Sequence, residues 1–280
     1  MKMLILGGKG MVGHAMVRYF SARPGTTVFY TTRDPADPAG LYLDVCNENK
    51  IESVMEIVRP DVTINCIGLL NEEAARREGE ALLVNGLLPH RLRRLAELTG
   101  GKLVHISTDC VFSGSRGSYR EDDLPDGASA YAKTKAMGEV RQPPHLTVRT
   151  SIIGPELKDG IGLFQWFMKQ RGTVPGYRQV LWNGVTTLEL AKSVARMLEA
   201  GTQGLVHLTA PAPISKYGLL LLFQDIFGRM DVTVIPRDEP ILDRTLLNTR
   251  GDFQPQVPDY PVMLAELKRW MEAEQHGERE

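Results

Sequence analysis

With 280 residues, 42% hydrophobic and 24% charged, the chain has an ordinary globular composition and the length of one large domain or two small ones. Its net charge of -1 gives no electrostatic reason to expect nucleic acid or an anionic membrane as partner. The three cysteines, Cys46, Cys66 and Cys110, are odd in number and lack metal-ligand spacing, so no metal site is expected.

The opening "MKMLILGGKG" has an apolar run too short for a signal-peptide core. No run approaches the ~18 apolar residues of a membrane span, so a cytoplasmic chain is expected. "KMLIL" reads as a buried strand and "MVGHAMVRYFSA" as the helix after it. "TTVFYTT" and "LYLDV" are two further strands, separated by the turn cluster "DPADPAG". "NKIESVMEIVRP" is a helix stopped by Pro60, and "DVTINCIG" a buried strand that makes Cys66 a reduced core thiol by default. The charge run "EEAARRE" reads as a solvated helix face, and Glu78 to Thr99 as one long helix closed by Gly100 and Gly101. "KLVHIST" is the next strand. Apolar strands alternating with helices predict an α/β fold, a Rossmann-type doubly wound parallel sheet covered on both faces.

Beyond residue 150 the alternation weakens. "LTVRTSIIGPE" reads as a strand with its exit loop, and "GLVHLTA" as another strand. "GLFQWFMKQR", "TTLELAKSVARMLEAG", "SKYGLLLLFQDIFG" and "PVMLAELKRWMEAE" read as helices. The expected division is a dinucleotide-binding domain over 1–152, with about 183–208 returning to it. A smaller C-terminal substrate-binding lobe takes about 153–182 and 209–280.

"LILGGKGMVG" places glycines at 7, 8, 10 and 13, after the first strand and opening the first helix. Gly8, Gly10 and Gly13 fit G-x-G-x-x-G, and Gly7, Gly10 and Gly13 fit G-x-x-G-x-x-G. Either spacing lets backbone approach a pyrophosphate at a helix N-terminus. In "YTTRD", Arg33 stands where NAD-binding folds usually carry an acidic residue, and a guanidinium suits a 2′-phosphate. With Lys9 in the glycine loop, this makes NADP (as NADPH) the preferred cofactor. NAD stays as the alternative because Asp34 could take the acidic role. Asp44 can accept a hydrogen bond from the adenine amino group, or cap the next helix instead.

"VHISTDCVFSG" carries Ser107 and Thr108 at a strand end, where open α/β sheets place their chemistry. Tyr131 follows 23 residues later, with Lys135 one helical turn beyond it in "YAKTK". A ketone that accepts hydride needs a proton on its oxygen, and tyrosine, whose phenol ordinarily titrates near ~10, is a weak acid for the task. A neighbouring ammonium would lower that value, while Thr108 could orient the substrate oxygen. Thr108, Tyr131 and Lys135 are the predicted catalytic residues.

Together, "GGKGMVG", "PDVTINCIG", "VNGLLPHRL", "STDCVFSG", "YAKTKAMGE", "HLTA" and "LDRTLLNT" resemble the extended short-chain dehydrogenase/reductase family over nearly the whole chain. The likeness is to dTDP-4-dehydrorhamnose reductases and related nucleotide-sugar 4-ketoreductases. It implies NADPH-dependent reduction of a nucleotide-linked 4-keto-6-deoxy sugar for polysaccharide or glycan biosynthesis, and it makes a homodimer a candidate assembly. It implies that the backbone of Cys66, Ile67 and Gly68 lines the cofactor and that Asn85 supports the site. Met11, Val12 and Val45 complete the expected cofactor contacts, to which Tyr131 and Lys135 also belong. Asp109, Cys110, Trp182 and Arg244 are the expected substrate contacts.

Two departures concern the substrate. Cys110 replaces the family's usual tyrosine, and "LWNGVTT" replaces its usual substrate loop, which leaves dTDP- and UDP-linked sugars both open. A 4,6-dehydratase needs a carboxylate where Cys110 stands. An epimerase, or a non-catalytic NADP-binding regulatory subunit, are the other readings. Phe164, Trp166 and Phe167 are expected in the core, with Trp182 and Tyr177 as candidates to stack on a base. Arg178 and Arg244 are candidates for a diphosphate. His14, His90 and His105 read as structural.

Overall fold

The computed structural model describes residues 1–157, 160 and 162–277. Its seven central strands are β1 (Lys2–Leu6), β2 (Thr27–Thr32), β3 (Leu41–Tyr42), β4 (Val62–Asn65), β5 (Lys102–Thr108), β6 (Leu146–Thr150) and, after four short strands, β11 (Gly204–His207). They run in the order β11-β6-β5-β4-β1-β2-β3, and every pair is parallel. Met3, Leu4 and Ile5 of β1 and Ile64 of β4 have no exposed surface, as strands covered on both faces require. The chain leaves β1 toward β2 on one side and returns through β4 on the other. That reversal opens a crevice at the carboxyl ends of the strands.

Helices cover both faces: α1 (Met11–Ser21), α2 (Glu48–Val58), α3 (Asn71–Arg76), α4 (Glu78–Ala81), α5 (Leu88–Thr99) and α6 (Ala130–Met137). The segment predicted as one long helix contains a π-helical turn, Leu82–Leu87, between α4 and α5. Asn85 on that turn accepts from Leu69 N–H at 2.8 Å and donates to Leu69 O and the Thr134 hydroxyl at 3.0 and 3.2 Å. Here the backbone of α6 is very close: a Cβ on Gly138 would sit 2.0 Å from Asn85 O. Bulky side chains cannot enter that contact, so α6 is seated firmly against the π turn.

The second half supplies β7 (Ile152–Ile153), α7 (Leu163–Lys169), β8 (Gly172–Tyr177), β9 (Val180–Trp182), β10 (Val185–Thr186), α8 (Thr187–Glu199), β12 (Ile214–Ser215), α9 (Lys216–Ile226), β13 (Val232–Arg237), β14 (Leu242–Asp243) and α10 (Tyr260–Gly277). In space, α8 and β11 join the first half: α8 packs on α1, and β11 forms the edge of the central sheet. The remaining lobe rests on the parallel pair β8–β13 and the three strands β12-β9-β14. Helix α10, expected in the substrate lobe, also reaches back to α1. Arg18 lies 3.9 Å over the Trp270 ring and bonds Trp270 O and Glu274, which also pairs with His14.

One buried polar network ties these parts together. Arg149 on β6, with no exposed surface, grips Glu139 through Nε at 2.8 Å and Nη2 at 2.5 Å. Ser107 on β5 donates to the same carboxylate at 2.8 Å. The third guanidinium nitrogen donates to His207 Nε2 at 2.9 Å, and His207 Nδ1–H donates to Leu247 O at 2.8 Å. Burial and the neighbouring Arg149 push the His207 imidazole down to about 4, so it is neutral at pH 7. Removing one partner of a buried pair leaves the other charged and unpaired. Arg149→Met is therefore expected to lower the unfolding free energy by about 3–5 kcal/mol, read from the midpoint of a urea titration.

Candidate active site

The turn from β1 to α1 depends on missing side chains. Gly7 has φ +78°, a conformation that favours glycine, and a Cβ on Gly13 would lie 2.1 Å from Gly7 O. Gly10 N–H bonds Gly7 O at 2.9 Å and closes the turn. Gly10 is also the N-cap of α1 and supplies no side-chain cap, so first-turn N–H groups are left for an anion. Met11 and Val12 open the helix behind the turn. Gly8 serves a different need, since a Cβ there would press on the Tyr30 ring at 2.5 Å.

A cleft of about 710 Å³ runs from this turn along the strand ends. Gly7, Gly10, Arg33, Asp44, Val45, Cys66, Ile67 and Gly68 all line it. Arg33 has no hydrogen bond or ion pair among the described residues and is exposed at the cleft wall. Lys9, by contrast, pairs with Asp37 at 3.3 Å. Asp34 commits one carboxylate oxygen to Ala36 N–H at 3.0 Å, and Asp44 one to Cys46 N–H at 3.0 Å. The cap of α2 is Asn47.

At its carboxyl end β5 delivers Thr108. Its Oγ donates to Asp109 Oδ1 at 3.2 Å and accepts Cys110 N–H at 3.1 Å, starting a short 3₁₀ turn over Asp109–Val111. Ser129 caps α6 by accepting Ala132 N–H at 3.1 Å, which sets Tyr131 in the first turn. The Thr108 side chain stands beside the Tyr131 hydroxyl. Burial pushes the Tyr131 phenol well above its ordinary value, and Thr108 opposes that shift. Lys135 follows one turn further along α6 and has buried partners of its own. Nζ donates to Ile106 O at 2.7 Å and stands 3.4 Å from His105 Nε2. Burial draws Lys135 down to about 8.

On the substrate side Arg244 reaches back to this corner, with Nε on Phe112 O at 3.0 Å and Nη1 3.8 Å from Cys110 Sγ. Burial raises the Asp109 carboxyl, opposed by Lys216 and Arg244. Lys216, the first residue of α9, was missed in the sequence because a lone lysine after a capping serine carries no signal. It lies 5.1 Å over the Trp182 ring. Trp182 itself is a correction: it belongs to the core, with Tyr260 5.5 Å from it, and offers no open face for a base. Its loop holds the lobe together. Asn183 exchanges two hydrogen bonds with the Leu246 backbone, and Thr186 caps α8. Arg178 is committed to both oxygens of Asp238 at 2.9 Å.

The family described as RmlD substrate binding domain matches residues 1–236. A dTDP-4-keto-6-deoxy-D-glucose reductase of Streptomyces niveus is 27% identical over 233 residues, 80% of this chain and 78% of that protein. Methionine adenosyltransferase 2 subunit beta of Danio rerio is 26% identical over 255 residues, 85% of this chain and 77% of that protein. The crystal structure of dTDP-4-dehydrorhamnose reductase from Bacillus anthracis, in complex with NADP, superposes with a TM-score of 0.82. It covers 96% of this chain and 99% of that one at 20% identity, and so shows the shared fold.

The three thiols should react unequally. Burial pushes Cys66 and Cys110 up to about 12, while Cys46 is exposed. At pH 8 these two half-buried thiols hold about one part in ten thousand as thiolate, the reactive form. Iodoacetamide at that pH should place a single label on Cys46 in the folded protein, with three labels after denaturation, as counted by intact-mass spectrometry.

Proposed function

The chain belongs to the RmlD substrate binding domain family, and from that premise we propose that it is an NADPH-dependent reductase. Its substrate is a nucleotide-linked 4-keto-6-deoxy sugar, dTDP- or UDP-linked, reduced at the 4-keto group. The observation that carries this reading is the grouping of buried Thr108, at the end of β5, with buried Tyr131 beside it and Lys135 one helical turn away.

The residues present fit a dinucleotide. The Gly7–Gly13 contact leaves no room for a Cβ beside the turn, and the helix behind it has no side-chain cap. NADPH, when bound, supplies the hydride. The chain's part is binding, orientation and proton supply. Arg33 is free to take a 2′-phosphate, whereas Asp34 is held in its own turn. Thr108 orients the ketone oxygen, and Tyr131 holds the proton that oxygen needs. The first-turn N–H groups of α1, left without a side-chain cap, take the diphosphate. Arg244 and Lys216 flank Asp109 and supply cations on the side where the sugar nucleotide enters. The product is a nucleotide-linked 6-deoxy sugar, a donor suited to glycan assembly.

A second reading is a non-catalytic NADP-binding subunit; the likeness to a protein named as a subunit, methionine adenosyltransferase 2 subunit beta, speaks for it. The intact Tyr131 and Lys135 weigh against it. NADPH absorbance, followed with a panel of dTDP- and UDP-linked 4-keto-6-deoxy sugars, separates the two. Substrate-dependent loss of NADPH is expected, with kcat reduced roughly 10²–10⁴-fold in Tyr131→Phe and NADPH affinity retained. If NADPH binds and is never consumed by any member of the panel, the reductase reading fails. Cofactor choice has its own check. Arg33→Ala should weaken NADPH binding roughly ten- to a hundredfold, the worth of a charge-assisted hydrogen bond, and leave NADH binding unchanged.

A further inference from the structure

His105 lies on β5 two residues beneath the strand-end serine, with no exposed surface, directly opposite Asn65 on β4. Asn65 Oδ1 accepts the backbone N–H of Ile67 at 3.1 Å. That bond decides which way the amide points, so its NH₂ group faces His105 Nδ1, at 3.2 Å. Turning the amide over would set its NH₂ against the Ile67 N–H and leave both donors unmet. Nδ1 is therefore an acceptor without a proton. Burial and the nearby Lys135 hold His105 well below the ordinary histidine value, so the ring is neutral. Its single proton must then sit on Nε2. Nε2 faces Lys135 Nζ at 3.4 Å.

An ammonium in that place meets an N–H with an N–H. A neutral amine does not: its lone pair can take the Nε2 proton's hydrogen bond while one of its own hydrogens stays on Ile106 O. We propose that His105, its tautomer set by Asn65, is a positioning residue that disfavours the ammonium form of Lys135 and so sets the pH above which the site loses its cation. The proposal rests on the reading of Thr108, Tyr131 and Lys135 as the reducing site. The other groups facing Lys135 are few. Cys66, at the exit of β4, is a neutral thiol, and Glu139, just beyond α6, favours the ammonium but is already gripped by Arg149. Tyr131 is on the same helix and His90 on α5 acts on His105 through space. His105 is the one donor in contact with Nζ among the described residues.

The sign follows. The ammonium is present below the Lys135 pKa and lost as pH rises through it. Removing the Nε2–H should move that loss to higher pH.

Two measurements test this without any substrate. The ¹⁵N shifts of the His105 ring in the cofactor-free protein should report a protonated Nε2 and a bare Nδ1. The Nδ1–H tautomer would overturn the proposal, and this readout needs no variant to fold. Lysine labelled at ¹³Cε, with Lys135 assigned by its loss in Lys135→Met, gives the titration midpoint directly. In His105→Leu that midpoint should rise by about one pH unit; a midpoint unchanged from wild type sinks the idea. With an active substrate in hand, the falling limb of kcat/KM against pH should rise by the same amount. A role in packing alone would lower kcat/KM at every pH without moving the limb. If the NMR results hold and no sugar is ever reduced, the tautomer lock stands and the proposed function does not.

Discussion

The active site depends on a fully buried ion pair. Burial alone would raise the Glu139 carboxyl, but the Arg149 guanidinium outweighs it and holds the group below the usual range. Such a pair contributes little raw stability, since two charges must leave water for one contact. Its use here is geometric. Ser107 precedes Thr108, and Glu139 follows the helix that carries Tyr131 and Lys135. By joining Ser107, Glu139 and Arg149 within hydrogen-bond distance, the network sets the height of α6 against β5. The two hydroxyls and the lysine then have little freedom to slide apart. The same guanidinium continues through His207 to the Leu247 carbonyl, so the substrate lobe is registered against the same point.

The two sides of the crevice are built differently. The cofactor side is made of strand ends and their immediate turns, and its key demands are steric: no Cβ at Gly13, a positive φ at Gly7. The substrate side is assembled from segments far apart in sequence. Residue 119 bridges residue 246, and Arg244 hydrogen-bonds Phe112 O across 132 residues. Its polar atoms are largely used to hold that assembly together, as with Asn183 on the Leu246 backbone. Among the charged side chains of this region, Arg244 and Lys216 both act on the buried Asp109.

That difference also decides what could be read in advance. Strands β1, β2, β4, β5 and β6, the glycine turn and the Thr108–Tyr131–Lys135 spacing were legible because each is a local pattern with a physical reason. The π turn was not, because its cause is Asn85 reaching Leu69 and Thr134, neither visible in a helical repeat. Strands β8 and β13 are hard to read from sequence because each carries a proline, Pro175 and Pro236, which argues against a sheet interior. They escape the rule by pairing only with each other, so each keeps an open edge. Trp182 looked like a platform because aromatic content says nothing about which face is covered; Tyr260 and Lys216 cover it. His105 read as a core histidine, which by burial it is. Its bearing on Lys135 lies in the direction of one amide.

The seating of α10 on α1 has a consequence for how the molecule is made. Arg18 and Trp270 are 252 residues apart in the chain, yet the guanidinium rests on the indole and on its carbonyl. A ribosome adding about 5–20 residues per second takes on the order of ten seconds to a minute to cover that interval. During it the outer flank of the first helix has no cover, although the glycine turn it supports has already been synthesised. The glycine turn is thus translated well before α10, which completes the cover of the helix behind it. Contacts of such long sequence separation also slow the search for the native state. The nascent chain carries an exposed, half-apolar helix until α10 emerges, and that is the interval in which a chaperone would find it.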